Sequence, residues 1–210
     1  MKKHVLILGA GFGGLELATR LSETISDAVR VTLLDRNDSF FFGYSKLEVM
    51  LGRQSADEVR LYYRDIAKDG VEFRQETVTG INPAARRVIT DAGSYDADFL
   101  VVALGAGYDM AATPGFEEGG YEYYTLAGAE RLRDALADFD GGRVLVSVLR
   151  QPFKCPPAPF EAAFMLHEAR VCRREGTVRC DSASALVRVL IATTAVRLGT
   201  FASTAFIGGT

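Results

Sequence analysis

The stretch that decides the fold is residues 3–14, which read KHVLILGAGFGG. Its apolar first half contains β-branched residues and predicts a strand, and a stretch with helical periodicity follows at residues 15–25. Between them, Gly9, Gly11 and Gly14 fit the G-x-G-x-x-G pattern. In that pattern the first glycine permits a tight turn, the second lets a pyrophosphate approach the backbone, and the third lets the helix pack closely on the strand. The stretch therefore predicts an anion-binding turn at a helix N-terminus.

A glycine-rich turn alone is weak evidence, because such turns also occur for purely steric reasons. Here a second apolar strand is predicted at residues 29–34, and Asp35 ends it 21 residues after Gly14. A carboxylate at this place accepts hydrogen bonds from ribose hydroxyls and would repel a 2′-phosphate. The two signals together favour NAD or FAD over NADP as the nucleotide.

The composition is that of an ordinary globular protein. The chain has 210 residues, of which 48% are apolar and 24% are charged, enough for one or two domains with a sizeable core. The formal net charge of −3 and the lack of basic runs give no reason to expect nucleic acid binding. No secretory signal pattern precedes the first strand, so we expect a cytoplasmic location.

Cysteine usage argues against both a disulfide scaffold and a metal site. The chain has three cysteines, Cys155, Cys172 and Cys180, an odd number without C-x-x-C spacing. We therefore expect no metal, and any role of these cysteines is individual.

The segment after Asp35 begins with turn formers and then shows helical patterns. A short helix is predicted at residues 45–51, closed by Gly52. A second helix is predicted around residues 59–66, where apolar residues recur at helical spacing, and it ends at Gly70. Both helices fit an α/β domain.

Beyond Gly70 the pattern changes to strands. Short β segments at residues 71–73, 78–81 and 87–90 predict an antiparallel insertion. Residues 98–104 then form a continuous apolar run, which predicts a strand buried on both faces of a parallel sheet. Because ligands of open α/β sheets bind beyond the carboxyl ends of the strands, the end of this strand should face the same nucleotide.

Several residues near the predicted turn are candidate cofactor contacts. Three consecutive phenylalanines at residues 40–42 lie in a predicted loop, where they either pack the loop or form an apolar wall near a flat cofactor ring, and their spacing fits both. The candidate cofactor-binding residues are Gly9, Gly11, Gly13, Gly14, Asp35, Arg36, Val78, Ala103, Leu104 and Gly105.

A candidate catalytic residue follows the last predicted strand. A helix is predicted at residues 127–139 and a strand at 143–149, and the chain then reaches Cys155. Three of the four residues after the cysteine are prolines, and the last of them, Pro159, fits the first turn of a further helix. A cysteine on such a loop, next to Lys154 and near a helix N-terminus, fits a nucleophile or a redox thiol. Taken alone, a buried small residue is an equal interpretation.

With these residues the sequence resembles a known flavoprotein group. The fingerprint glycines, residues 101–106 (VVALGA) and above all residues 154–161 (KCPPAPFE) are similar to the group containing sulfide:quinone oxidoreductases and the flavin subunit of flavocytochrome c sulfide dehydrogenase. The likeness covers about residues 3–168. The glycines and Asp35 are common to FAD-dependent pyridine nucleotide reductase relatives, whereas the Cys-Pro-Pro-x-Pro segment is much narrower.

The resemblance implies an α/β fold and a flavin cofactor. The fold would be a Rossmann-like FAD/NAD(P)-binding domain with a parallel sheet and an antiparallel β insertion, followed by a truncated second domain. FAD would lie with its AMP half on Gly9, Gly11, Gly14 and Asp35. Cys155 matches the redox cysteine that takes up sulfide sulfur, and the electrons would pass into FAD and on to a quinone or cytochrome.

The sequence also departs from this group. A second glycine fingerprint, which NADH-using relatives carry, is missing from residues 141–168, and this argues against nicotinamide as the electron donor. The relatives are much longer and have a second redox cysteine, a role that no motif assigns to Cys172 or Cys180. We therefore expect an incomplete flavin-dependent oxidoreductase, whose missing half would provide any peripheral contact with a membrane. A truncated dinucleotide-binding domain without turnover, or an NADH:quinone or ferredoxin reductase relative, are the alternatives.

The chain changes character near residue 168. Residues 169–210 hold six of the 24 Lys and Arg residues but only two of the 27 acidic residues, and show no clear period. We predict a dinucleotide-binding domain at residues 1–110, the start of a second Rossmann-like domain carrying Cys155 at 111–168, and an atypical tail at 169–210 that is out of frame or poorly ordered. A divergent but folded end is the alternative. A membrane span fits less well, because two arginines interrupt the apolar tail residues.

Overall fold

The computed structural model describes residues 1–139, 143–149, 153, 155–175, 188–191 and 203–208. The chain divides into two compact units: Met1–Phe41 with Arg60–Gly105, and Phe42–Val59 with Ala106–Thr210. The helices and strands in chain order are β1 (Lys3–Leu8), α1 (Phe12–Ile25), β2 (Val29–Asp35), β3 (Ser39–Phe40), α2 (Ser45–Met50), β4 (Leu61–Tyr62), β5 (Val71–Gln75), β6 (Val78–Asn82), β7 (Arg87–Thr90), β8 (Ser94–Asp96), β9 (Phe99–Val102), α3 (Phe116–Gly119), β10 (Gly120–Tyr121), α4 (Leu126–Ala137), β11 (Arg143–Val148), α5 (Ala158–Glu175), β12 (Arg188–Ile191) and β13 (Ser203–Gly208).

The first unit is built on a parallel sheet with the strand order β5-β2-β1-β9. Strand β1 lies in the interior of this sheet, and its residues Leu6, Ile7 and Leu8 are fully buried. A central parallel strand is covered on both faces, which explains why the first strand reads as an unbroken apolar run. The predicted α/β fold with a parallel sheet is therefore confirmed.

Alternate residues of β1 contribute to two separate cores, because successive side chains of a strand point to opposite faces. Val5 and Ile7 belong to a cluster against which leucines of α1 pack. Leu6 and Leu8 belong to a second cluster with Leu34 and with Val88 of β7. Strands β6, β7 and β8 form an antiparallel sheet of their own, so the helix covers one face of the parallel sheet and the predicted insertion packs on the other.

The predicted helix around residues 59–66 is wrong. Leu61 and Tyr62 pair instead with Ser39 and Phe40 as a two-stranded antiparallel ribbon, and a single 3₁₀ turn follows at Tyr63–Asp65. Aromatic residues favour strands where a partner segment is at hand, and the partner here is the segment predicted as a loop after Asp35. Helical spacing alone did not reveal that pairing.

Two strand predictions need correction as well. Residues 71–73 were predicted within the antiparallel insertion, but β5 pairs in parallel with β2 and forms one end of the main sheet. Strand β9 lies in the parallel sheet as predicted, where it pairs with β1, yet it is not buried on both faces, since Phe99 is 56% and Val102 60% exposed. Among the described strands β9 has β1 as its one neighbour, and this position leaves its side chains open.

The second unit contains the sheet β10-β13-β11-β12, with β12 parallel and β13 antiparallel to β11. Helix α2 packs against α4, and α4 begins at Thr125, whose Oγ1 accepts a hydrogen bond of 2.9 Å from the Gly128 N–H. The buried carboxylate of Glu122 accepts hydrogen bonds from the Tyr124 and Thr125 N–H groups at 2.7 and 2.9 Å. The predicted helix at 127–139 and strand at 143–149 are confirmed within two residues at their ends.

Helix α5 continues past residue 168 to Glu175, and two short strands follow it. Most of the remaining tail lies outside the described residues. The domain limits at residues 110 and 168, and the out-of-frame origin of the tail, therefore stay predictions. Within the described part of the chain, no helix combines the length and the hydropathy needed to cross a membrane.

The close contact between α1 and β1 makes a direct prediction for stability. A Cβ at Gly14 would lie 1.8 Å from the Gly9 carbonyl oxygen, so Gly14→Ala must push the helix off the strand and should destabilise the fold by about 3 kcal/mol. Gly13→Ala is the matched control, because its Cβ would meet only the Ala103 Cβ at 3.9 Å and alanine favours the helix by up to about 1 kcal/mol. Urea unfolding of both variants measures the difference, and equal midpoints would contradict the contact.

Candidate functional site

The turn after β1 brings the predicted glycines against the end of β9. Gly9 has a φ of +97°, and a Cβ on it would lie 2.4 Å from the Ala103 carbonyl oxygen. The Gly9 N–H donates to the Leu34 carbonyl at 2.7 Å, and the Ala103 N–H donates to the Leu8 carbonyl at 2.8 Å. Three parallel strands therefore end around one turn, where neither the backbone angle nor the space admits a side chain at Gly9.

Gly14 has a different role from Gly11. The space at Gly14 is filled by the Gly9 carbonyl, whereas a Cβ at Gly11 would meet no atom within 4 Å. Gly11 also has an ordinary φ of −78°. The packing of this unit therefore requires glycine at position 14 but not at position 11.

Helix α1 starts at this turn without a side-chain cap. Its N-cap residue is Gly11, which offers no side-chain acceptor, and its first turn contains no acidic residue. The first N–H groups of a helix have no partner within the helix and carry partial positive charge. The turn thus presents backbone donors beside an open space, an arrangement that suits a phosphate or pyrophosphate.

Asp35 ends β2 and holds the glycine turn directly. Its Oδ2 accepts a hydrogen bond of 2.8 Å from the Ala10 N–H. Its Oδ1 accepts hydrogen bonds from the backbone N–H and the Nδ2 of Asn37, both at 2.9 Å. An ionised carboxylate has about four acceptor positions, so Asp35 can still accept a further hydrogen bond from a hydroxyl group.

A residue that the sequence did not point to also reaches this turn. The buried hydroxyl of Tyr63 donates to the Ala10 carbonyl oxygen at 2.9 Å. Burial, with the charges of Asp35 and Asp38 as smaller causes, raises the pKa of Tyr63 far above its usual value. No local pattern signals this contact, since the two residues are 53 positions apart, and the apolar spacing around Tyr63 suggested a helix instead.

The other candidates around the turn are less closely joined to it. The Arg36 carbonyl accepts a hydrogen bond of 3.3 Å from Gln75 Nε2. Val78 packs against the apolar cluster on the β7 face of the sheet. Leu104 is exposed, and Gly105 has a φ of +71°. The structure thus groups Gly9, Gly11, Gly13, Gly14, Asp35 and Ala103 around one turn, and does not group Arg36, Val78, Leu104 or Gly105 with them. A cofactor contact of any of these residues stays a prediction.

The first of the three phenylalanines after Asp35 packs against the start of α1. The Phe40 ring lies edge to face with the Phe12 ring, with 4.9 Å between the ring centroids, and Phe40 also packs against the core cluster under α1. Phe12 lies directly after Gly11 and is 63% exposed. Packing therefore accounts for Phe40, and a wall next to a cofactor ring stays a prediction.

Cys155 lies in the second unit, on the predicted connection between a strand and a helix. Its side chain is exposed, so the interpretation as a buried small residue is wrong. The backbone has a φ of +56°, and the Cys155 carbonyl accepts hydrogen bonds from the Ala158 N–H at 3.0 Å and the Tyr124 hydroxyl at 3.5 Å. A positive φ is sparsely populated outside glycine, and such residues occur in turns and cluster at functional sites.

Cys180 and the side chain of Cys172 lie outside the described residues. Among the residues that the structure does describe, no group of three or more His, Cys, Asp or Glu side chains is arranged to hold a metal ion.

A comparison with known proteins shows the family of this chain. The profile of the pyridine nucleotide-disulphide oxidoreductases matches residues 3–147. Type II NADH:quinone oxidoreductases of Staphylococcus saprophyticus and Staphylococcus epidermidis are 33% and 34% identical over 139 and 140 residues, which is 65% of this chain and 35% of each relative.

Solved structures give the same result for the fold. The sulfide:quinone oxidoreductase of Aquifex aeolicus matches 83% of this chain and 40% of its own, with a TM-score of 0.74 and 26% identity. NDH2 of Plasmodium falciparum matches 84% of this chain and 39% of its own, with a TM-score of 0.63 and 18% identity, which bears on the fold alone. The chain spans less than half the length of these relatives. It belongs to the pyridine nucleotide-disulphide oxidoreductase family.

Proposed function

We propose that this chain is part of an FAD-dependent oxidoreductase of the sulfide:quinone oxidoreductase type. The observation that carries the cofactor assignment is the turn at Gly9–Gly14 with Asp35 bonded to it. The proposal that the substrate is sulfide rests in addition on Cys155, whose thiol is exposed on a sharp turn. This chain matches 40% of the length of the Aquifex relative. The activity that we propose is therefore that of a longer protein.

The residues of the turn fit the adenosine diphosphate half of FAD. A pyrophosphate fits the open space at Gly11, where the first N–H groups of α1 can donate to it. Asp35 has an acceptor position left for a ribose hydroxyl, and its negative charge disfavours a phosphate on that ribose. The same chemistry also fits NAD, so the preference for FAD is supported by the family and not by the turn alone.

Cys155 would handle the sulfur of the substrate. A persulfide at Cys155 would form when the hydrosulfide sulfur bonds to Sγ, with the loss of two protons, one from the thiol and one from hydrosulfide, and of two electrons. When bound, FAD supplies the acceptor for the two electrons that sulfide loses and passes them to a quinone or cytochrome. The thiol is exposed at a sharp turn, three residues before the start of α5.

A second candidate function is NADH:quinone oxidation. It is favoured by the identity to the two staphylococcal relatives, which exceeds the identity to the Aquifex protein. Against it stands the lack of a second glycine fingerprint at residues 141–168, where Cys155 lies instead. A dinucleotide-binding domain without turnover is a third candidate, and reduction of bound flavin separates it from the other two.

The first prediction concerns the open space at Gly11. Gly11→Ser should leave stability unchanged or slightly higher, because serine is a good N-cap residue. Its side chain enters the space proposed for the pyrophosphate and competes for the helix N–H groups, so the affinity for FAD should fall by about tenfold or more, or 1.4 kcal/mol. Flavin fluorescence titration measures the affinity, and wild-type affinity in a folded variant would exclude the proposed position of the pyrophosphate.

The second prediction concerns Asp35. Asp35→Ala should weaken FAD and ADP-ribose binding by about 1 to 3 kcal/mol, because it removes the ribose acceptor and leaves the Ala10 N–H without its partner. Asp69→Ala is a suitable control, since Asp69 precedes the amino end of β5 and so lies at the opposite edge of the parallel sheet. Equal affinities of both variants, measured by calorimetry, would remove Asp35 from the site.

The third prediction separates the substrates. In FAD-loaded protein, sulfide should bleach the visible flavin absorbance, and Cys155→Ser should keep the flavin but abolish this bleaching, since serine forms no persulfide. Cys172→Ser should behave like wild type. Bleaching by NADH and not by sulfide, unaffected by either substitution, would instead favour the NADH:quinone candidate.

A further inference from the structure

The peptide groups on either side of Ala10 are each held by a distant side chain. The Ala10 N–H donates to Asp35 at 2.8 Å, and the Ala10 carbonyl accepts from the Tyr63 hydroxyl at 2.9 Å. Asp35 lies at the end of β2, and Tyr63 lies in the 3₁₀ turn after β4. We propose that Tyr63 is a positioning residue for pyrophosphate recognition, which acts by fixing the peptide group between Ala10 and Gly11. This rests on the proposed nucleotide binding at the same turn.

The hydrogen bond from Tyr63 also fixes the direction of the next N–H group, because a peptide group is planar. In a trans peptide the C=O of one residue and the N–H of the next point in opposite directions. Tyr63 is buried and holds the Ala10 carbonyl on its own side, so the Gly11 N–H points away from Tyr63. The space beside the Gly11 Cα is open, since a Cβ there would meet no atom within 4 Å. The bond thus aims a donor at the place proposed for the pyrophosphate.

If the Tyr63 hydroxyl is removed, this peptide group loses the hydrogen bond that fixes its orientation. Glycine has access to both positive and negative φ, and the open space around Gly11 admits a reversed peptide. A reversed peptide would turn the Ala10 carbonyl outward. Its partial negative charge would then repel a phosphate at the same place where the N–H had attracted it.

The position of the Tyr63 hydroxyl is itself fixed. The Tyr63 N–H donates to the Asp38 carbonyl at 3.0 Å, and the Tyr63 ring packs on the Phe73 ring, with 4.5 Å between the ring centroids. Burial, with two nearby carboxylates as smaller causes, raises the pKa of this hydroxyl, so it is protonated and able to donate at neutral pH.

Packing alone would not need the hydroxyl. The ring belongs to the apolar cluster that also contains Val5, Ile7 and Leu33, and a phenylalanine would fill the same volume. A purely structural role therefore predicts that loss of the hydroxyl affects stability alone, whereas the positioning role predicts a change that depends on the phosphate groups of the ligand.

The test compares Tyr63→Phe with Tyr62→Phe. The second substitution removes the hydroxyl of the adjacent tyrosine, which lies on β4 of the two-stranded ribbon. ADP-ribose and adenosine serve as probes, with and without a pyrophosphate, and calorimetry is done well below the unfolding temperatures. Tyr63→Phe should weaken ADP-ribose binding about tenfold and change adenosine binding less than twofold, while Tyr62→Phe changes neither. Equal losses for both probes, or no loss, would overturn the positioning role.

A measurement on the ligand-free protein makes the inference independent of the proposed function. If Tyr63 bonds to Ala10, the Ala10 carbonyl ¹³C resonance should be shifted between the wild type and Tyr63→Phe in the same H₂O buffer, whereas the Ala28 carbonyl, which accepts from the Lys3 backbone N–H, should keep its position. This shift in a protein whose wild type binds neither probe would refute the proposed nucleotide site and leave the orientation of the turn intact. An unshifted Ala10 resonance would refute the role of Tyr63 whatever the protein binds.

Discussion

The structure of the first unit depends on one close approach, between the start of α1 and the end of β1. The Gly14 position has no room for any side chain, because the Gly9 carbonyl occupies it. This contact sets the helix against the middle strand of the sheet and brings the helix N-terminus to the carboxyl edge, beside Asp35 and Ala103. The nucleotide site that we propose is therefore a by-product of how the helix and the strand pack.

Much of this unit could be predicted because its signals are local. The glycine spacing, the apolar runs of β1 and β2, and the acid at the end of β2 each lie within a few residues of the feature that they specify. What could not be predicted depends on partners far along the chain. The ribbon of Ser39–Phe40 with Leu61–Tyr62, the place of β5 in the main sheet and the contact of Tyr63 with Ala10 all join segments that no local spacing connects.

The reaction is less determined than the fold for a physical reason. Adenine dinucleotides are bound through phosphates and a ribose, and these groups are the same whether the electrons come from sulfide or from NADH. The turn and Asp35 therefore fit a dinucleotide in either case and leave the donor open. In the function that we propose, Cys155 distinguishes the two reactions, and it lies beyond residue 147, where the family match ends.

The double attachment of Ala10 also bears on the thermodynamics of association. A loop that is rigid only in the complex loses conformational entropy when the ligand arrives, and that loss weakens binding. Here Asp35 and Tyr63 already restrict the residue between the two glycines in the free protein. The ordering of the turn is thus completed during folding, and a nucleotide would meet donors that are already in place.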